Sequence, residues 1–317
     1  MKARVVARRI ARMTGQALLT IAVVVVLVFL LVRIIPGDPV KVMLGIQYTP
    51  EAAAVLREQL NLDRSIPEQS LHVQEELLRG DLGQSTSQPG RSVAEIIAES
   101  LPATAAVAIT GIVFGVIIGV ILGLTAALSK KRGVDLSVRT FSMLTFSVPA
   151  FLVALLLILV FSLTLGWLPA GGWPGTWPEN IPYLILPAIA LSTTMSTLIT
   201  RTVRQAAIDT QGQQFMEAAF MRGLPGRVLS MKHTLPNSLL PVLTLVGISI
   251  GTLLTGAIIV ESVFGIPGIG QEMSQAVSRR DYPVVQGIAL VSAIAVVVSG
   301  YLVEIAYTFV DPRARTL

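Results

Sequence analysis

Residues 103–128 read ATAAVAITGIVFGVIIGVILGLTAAL, 26 residues without a charged side chain. A helix needs about 20 mostly apolar residues to cross the hydrocarbon core of a bilayer, so this stretch predicts a membrane-spanning helix. Gly111, Gly115, Gly119 and Gly123 recur at every fourth position and share nearly one face. Small residues in that pattern let another helix backbone come close. The spacing predicts a packing groove, not a ligand site.

Five further stretches have the same character: 14–35, 141–167, 181–200, 239–260 and 284–309. Gly247, Gly251 and Gly256 repeat the small-residue pattern in 239–260. Pro149 and Pro187 fall inside two of the stretches and predict interruptions, which membrane helices tolerate when neighbours satisfy the freed carbonyls. The 317-residue chain is 53% hydrophobic and only 14% charged, with a mean hydropathy of +0.72. Soluble domains carry about 25% charged residues. These features predict an all-α integral membrane protein with six transmembrane helices. Lys2, Arg4, Arg8, Arg9 and Arg12 precede the first span like the basic end of a signal peptide. The apolar run behind them exceeds the about 7–15 residues of a signal core, so it is expected to stay as a span, with Arg33 snorkelling at its outer end.

Orientation follows from the basic residues. With the N-terminus inside, cytoplasmic segments hold 16 Lys and Arg and outer segments seven. Cytoplasmic excess is the topology signal, and it predicts both termini in the cytoplasm. The long outer segment balances five basic residues with ten acids. The net charge of +5 is thereby accounted for, and nucleic acid drops out as a partner. The expected organisation is a basic start and first span (1–35), an extracytoplasmic loop (36–100), and a core of five spans (101–317) containing a cytoplasmic loop (201–237).

Several chemistries are excluded. There is no cysteine, and His72 and His233 are the only histidines, so no metal site is expected. No G-x-x-x-x-G-K-S/T phosphate loop or H-E-x-x-H occurs, so no catalytic residues are assigned and the chain binds no cofactor of its own. The spans hold almost no ionisable group, with Arg33, Arg139 and Glu304 near their ends. Ion-coupled carriers usually need such groups at membrane depth. A self-contained channel or secondary carrier is therefore disfavoured, and uphill transport would need a partner's energy.

The loop 201–237 carries helix signals of its own. Residues 214–222 read as a short helix, with Phe215, Ala218, Ala219 and Met221 or Phe220 available for an apolar face. Gly223 supplies the stop and Pro225 follows. A second short helix, 227–234, is expected to end before Pro236. Such a pair reads equally as a rigid knuckle or as an amphipathic loop lying on the membrane.

Glu217-Ala218-Ala219, Gly223 and Leu235-Pro236 closely resemble the E-A-A-x-x-x-G-x(9)-I-x-L-P signature of ABC-importer permeases, with His233 in place of the Ile. The resemblance extends along the chain to the dipeptide/oligopeptide/nickel permeases, B-type subunit. It is carried in order by Pro36-Gly37-Asp38-Pro39, Asn61-Leu62-Asp63, Gly80-Asp81-Leu82-Gly83-Gln84-Ser85 and Leu101-Pro102-Ala103-Thr104. Leu165-Gly166-Trp167-Leu168-Pro169-Ala170-Gly171-Gly172, Val260-Glu261-Ser262-Val263-Phe264, Pro267-Gly268-Ile269-Gly270, Arg280-Asp281-Tyr282-Pro283 and Asp311-Pro312-Arg313 complete it. Glu217 stands where many peptide permeases have a basic residue.

The resemblance implies a type I ABC importer permease in a bacterial cytoplasmic (inner) membrane, half of a translocation path for di- or oligopeptides. Nickel chelate, glutathione or a glycoside is the alternative cargo. The implied partners are a homologous C-type permease, two ABC ATPase subunits holding ATP and Mg, and an extracytoplasmic binding protein. Phe215, Glu217, Ala218, Ala219, Arg222, Gly223 and Pro236 would form the contact with the ATPase. Glu217 would face it, Gly223 would make the turn, and the Ala pair would let the helix seat closely. In the last outer loop, Glu261, Phe264, Ile266, Pro267 and Gly268 are expected to form an outer gate, with Phe264 and Ile266 dipping towards the pore. Thr193, Thr194, Ser196 and Thr197, beside Ser192, either line the path or donate to carbonyls of their own helix. Base rates favour the second reading.

Overall fold

A computed structural model describes residues 2–34, 40, 44, 48–59, 63–129 and 131–310. Pro36–Pro39, Asn61-Leu62 and Asp311–Arg313, together with the side chains of Arg33 and Glu304, lie outside the described residues. Among the described residues there is no strand, only the isolated bridge between Gln84 and Ser92. In chain order the helices are α1 (Lys2–Ile34), α2 (Pro50–Gln59), α3 (Ile66–Leu78), α4 (Val93–Leu128), α5 (Arg132–Ser147), α6 (Ala150–Leu157), α7 (Ile181–Gln211), α8 (Gln214–Met221), α9 (Gly226–Leu229), α10 (Leu235–Phe264), α11 (Ile269–Arg279) and α12 (Tyr282–Val310). Wide π turns follow α6 (Ile158–Thr164) and α9 (Ser230–Thr234).

Among the described residues, four single helices are long and apolar enough to cross a membrane: Ile10–Leu31, Val93–Leu128, Ile181–Gln211 and Tyr282–Val303. The expected span 239–260 falls in α10, several of whose side chains are outside the described residues. Most ends lie beyond the apolar runs. α4 starts ten residues before Ala103 because Ser92 and Glu95 cap each other's backbone N–H, at 3.0 and 3.2 Å, the reciprocal arrangement that fixes a helix start.

The expected span 141–167 differs most. It is α5 and α6, bent by 103°. Val148 before Pro149 is extended (φ −94°, ψ 124°), the conformation that a following proline ring imposes. Pro187 was expected to interrupt its span as well, but α7 runs through it unbroken. It lies among fully enclosed neighbours, Leu186 and Ala188, whose packing holds the helix together where a proline removes one backbone bond.

Internal packing divides the chain into two compact units, Met1–Pro102 with Pro267–Tyr301, and Ala103–Ile266 with Leu302–Leu317. In the first, Val93, Ile96 and Ile97 of α4 share a core with Ile269 and Ala276 of α11 and Val284, Val285 and Ile288 of α12. The hydroxyls of Thr14 on α1 and Tyr301 on α12 lie 2.7 Å apart.

The second unit is built around α7. Its glycine face works as the spacing predicts: Gly111 and Gly115 abut Leu191 and Met195, and a Cβ on Gly119 would lie 2.6 Å from Ile199 Cβ. At Gly123 a Cβ would meet the Thr200 carbonyl oxygen at 2.8 Å. α6 and α10 complete the enclosure. Gly119→Leu is expected to destabilise this unit by about 1–3 kcal/mol, the usual cost of overpacking, measured as a lowered unfolding temperature of the purified protein. Gly133→Ala on α5, where a Cβ meets nothing within 4 Å, is the control and should be neutral.

Candidate functional site

α7 ends at Gly212, and Gln213 is extended (φ −82°, ψ 144°), so α8 leaves on a new axis. Met216 and Ala219, three residues apart, turn inward and are buried, whereas Phe215, Phe220 and Met221 are 45%, 68% and 81% exposed. Glu217 and Ala218 are also exposed. The alanine pair expected on one surface is thus split: Ala218 points out, and Ala219 seats the helix on its own chain.

Gly223 ends α8 as expected, at φ +72°. Its N–H bonds to Phe220 O at 2.9 Å and that of Leu224 to Ala219 O at 3.4 Å, the paired bonds of a left-handed helix stop. A Cβ there would meet no atom within 4 Å, so glycine is needed for its conformation and not for space.

The second short helix does not end before Pro236. α9 passes through the π turn straight into α10, with Thr234 and Leu235 both helical. A proline clashes with the carbonyl four residues back, here that of Lys232, and the wide turn at 230–234 provides room for it. The rings of Phe215 and His233 lie 6.2 Å apart, which ties α8 to this turn. Pro236 and Arg222 are exposed, as are Arg227 and Lys232. The segment therefore presents an apolar tip ringed by one acidic and three basic side chains.

In α7 the hydroxyl cluster divides. Ser192 donates to Ile189 O at 2.8 Å, Thr193 to Ala190 O at 2.8 Å and Ser196 to Thr193 O at 2.9 Å. Thr197 bonds to Thr193 O and to Ser142 O on α5, both at 3.2 Å. All four are buried, so bonding to helix carbonyls accounts for them. Thr194 alone of the cluster is exposed. It lines a cavity of about 110 Å³ with Ala150, Leu191, Met195, Leu198 and Gly256.

Among the expected gate residues, Glu261, Phe264 and Ile266 are fully enclosed. Phe264 and Ile266 do avoid water, but they join the core of the second unit. The Phe264 carbonyl accepts from Gly172 N at 2.8 Å, and a Cβ on Gly171 would collide with it. Pro267 is exposed and Gly268 buried in the first unit.

The first unit also brings together two strings 196 residues apart. The fully buried Asp281 carboxylate accepts from Ser85 Oγ (2.5 Å), Ser87 Oγ (2.7 Å), Ser87 N (2.9 Å) and Thr86 N (3.2 Å). Burial by itself would raise its pKa. The hydrogen bonds from Ser85, Ser87 and Thr86 outweigh burial and hold it below the usual carboxylate range. Among the described residues, no group of three or more His, Asp or Glu could hold a metal ion.

The family described as the binding-protein-dependent transport system inner membrane component matches residues 111–316, and its N-terminal companion matches residues 5–108. The chain belongs to this family. The di/tripeptide transport system permease protein DppB of Pseudomonas aeruginosa strain UCBPP-PA14 is 36% identical over 96% of this chain and 98% of its own. The glutathione transport system permease protein GsiC of Salmonella typhimurium strain LT2 is 33% identical over 93% and 95%. A crystal structure of an amino acid ABC transporter with histidines matches the fold with a TM-score of 0.51, at 17% identity, over 68% of this chain and 94% of that one. The protein is therefore a multi-pass inner-membrane permease subunit with the type I ABC importer fold. It is a non-catalytic component of a complex that includes an ATPase and a binding protein.

Asp281 yields a prediction with a definite sign. Because the permease's folded pKa is lowered, the Asp281 contribution is complete above the unfolded value of about 3.9 and is lost as pH falls below that, through the lowered folded value. Asp281→Ala is expected to cost about 1–3 kcal/mol, the penalty for stranded buried donors. Hydrogen exchange at the Thr86 and Ser87 amides should speed up at neutral pH, and the wild type should approach that behaviour only on acidification below about pH 4.

Proposed function

We propose that this permease carries di- or oligopeptides inward and pairs with a homologous C-type permease. Two ATPase subunits holding ATP and Mg would drive the pair, fed by an extracytoplasmic binding protein. In this reading six spans cross the membrane with both termini in the cytoplasm. The segments 36–100 and 261–283 face the binding protein, and Thr194 with its cavity borders the path through the core of 101–317. The names of close relatives support peptide as cargo. Glutathione, a tripeptide carried by one relative's system, is the nearest second choice.

The observation that carries the coupling role is the tip of α8. Phe220 and Met221 stand exposed on a short, sharply stopped helix, and exposed apolar groups rimmed by charge mark interaction sites. Methionine adapts readily to a partner's groove. Glu217, Ala218 and Arg222 share the exposed surface, and Phe215 with His233 fixes its angle.

The cysteine-free chain makes two tests clean. A cysteine at Gln88 should react with a membrane-impermeant reagent from outside and one at Gln213 should not; the reverse pattern inverts the topology. A cysteine at Phe220 should crosslink to the ATPase, and one at Met216 should not. Gly223→Val forces a β-branched residue into positive φ at about 1–2 kcal/mol, so docking should weaken about five- to thirtyfold with normal membrane levels. Glu217→Lys and Ala218→Trp should uncouple in the same way. Normal uptake and ATPase binding in all three would end the coupling assignment.

A further inference from the structure

Arg204, two turns before the end of α7, meets Asp135 in the first turn of α5. Its Nε donates to Oδ1 at 2.6 Å and an Nη to Oδ2 at 2.8 Å. This is a two-pronged fork, which fixes direction as well as distance. About three-quarters of each side chain is enclosed.

The fork matters because of what α5 lacks. α5 turns away from α6 by 103°, so α6 does not set its axis. Leu136, Phe141 and Leu144 on its outward side touch little of this chain. α7 holds it at three described points: the fork, the Thr197 hydroxyl on Ser142 O at 3.2 Å, and the Arg201 guanidinium 5.7 Å from the centre of the Phe146 ring. Two of these come from arginines in the last turns of α7, the stretch that leads through Gly212 into α8. About a quarter of each side chain stays open to solvent, so the pair is partly screened. Its directional hold is the more consequential property.

We propose that Asp135 and Arg204 form a positioning contact for energy coupling. The fork makes α5 follow the end of α7, so a displacement imposed on α8 reaches the bend at Pro149. Beyond that bend lies Ala150, which lines the cavity at Thr194. The contact thus links the docking end of the chain to the wall of the path. This inference rests on the reading of α8 as the docking segment.

The test uses the complete transporter in proteoliposomes, with Asp135→Asn, Arg204→Gln, Arg204→Lys and the double variant Asp135→Asn/Arg204→Gln. Three quantities are read: ATPase co-purification, ATP hydrolysis, and substrate taken up per ATP. ATPase binding and hydrolysis should stay within about twofold, while uptake per ATP falls about three- to thirtyfold, the range found for coupling contacts. Arg204→Lys should fall too, because an ammonium cannot form the fork. The double variant should be no worse than the worse single, as for two halves of one interaction. Wild-type uptake per ATP in the single variants overturns the proposal, and so do additive losses. Loss of assembled complex with unchanged uptake per complex also overturns it, since the pair would then be only a structural staple. The docking reading is judged separately by crosslinking from Phe220 in the wild-type background, which these variants leave untouched.

Discussion

The second unit depends on how closely the backbones of α4 and α7 approach each other. Lipid tails are as apolar as leucine, so helices in a membrane associate through tight packing and not through escape from water. Gly119 and Gly123 let the α7 backbone come within reach of where a Cβ would sit. With α6 and α10 closing over the rest of α7, its apolar stretch is 72% buried, against 22% for α4 and 28% for α12. Enclosure in turn explains why α7 can carry so many hydroxyls. Each buried one donates to a carbonyl of a helix, so none of these hydroxyls is left stranded. What remains open on α7 is a narrow stripe that includes Thr194, Arg201 and Gln205.

The parts of this arrangement visible in the sequence are those where local chemistry is the cause. Period-four glycines specify a groove wherever they lie on a helix, so the α4 seam was legible. Gly223 was legible because a helix stop at positive φ selects glycine. The two prolines were visible but their outcomes were not. Pro149 follows an extended Val148 and turns the chain, whereas Pro187 is held in line by buried neighbours. Tertiary packing decides between these, and a single sequence does not display it.

The site shows the same division at finer scale. Residues 215–221 read Phe-Met-Glu-Ala-Ala-Phe-Met, apolar at nearly every position. No amphipathic phase marks Ala219 as inward and Ala218 as outward. The contact of Phe215 with His233 crosses a turn, and that between Ser85 and Asp281 crosses most of the chain. Both serine-loop and aspartate strings were recognisable, but nothing local joins them.

A permease that passes force from one end to the other needs stiff parts and a few places that yield. Stiffness comes from backbone contacts without an intervening side chain: Gly119 and Gly123 against α7, and Gly171 against the Phe264 carbonyl. Such contacts cannot compress, because protein interiors pack as densely as organic crystals. A displacement entering at α8 is therefore not absorbed between α4 and α7. The places left to respond are those where helical geometry is already relaxed. These are the bend at Pro149, the π turn at 158–164 and the π turn at 230–234; wide turns of this kind often accompany function. One π turn lies directly behind α8, and the other continues α6 away from the Thr194 cavity. Between them, α5 is held to α7 by a two-pronged fork that fixes direction as well as distance, which makes it suited to transmit a position.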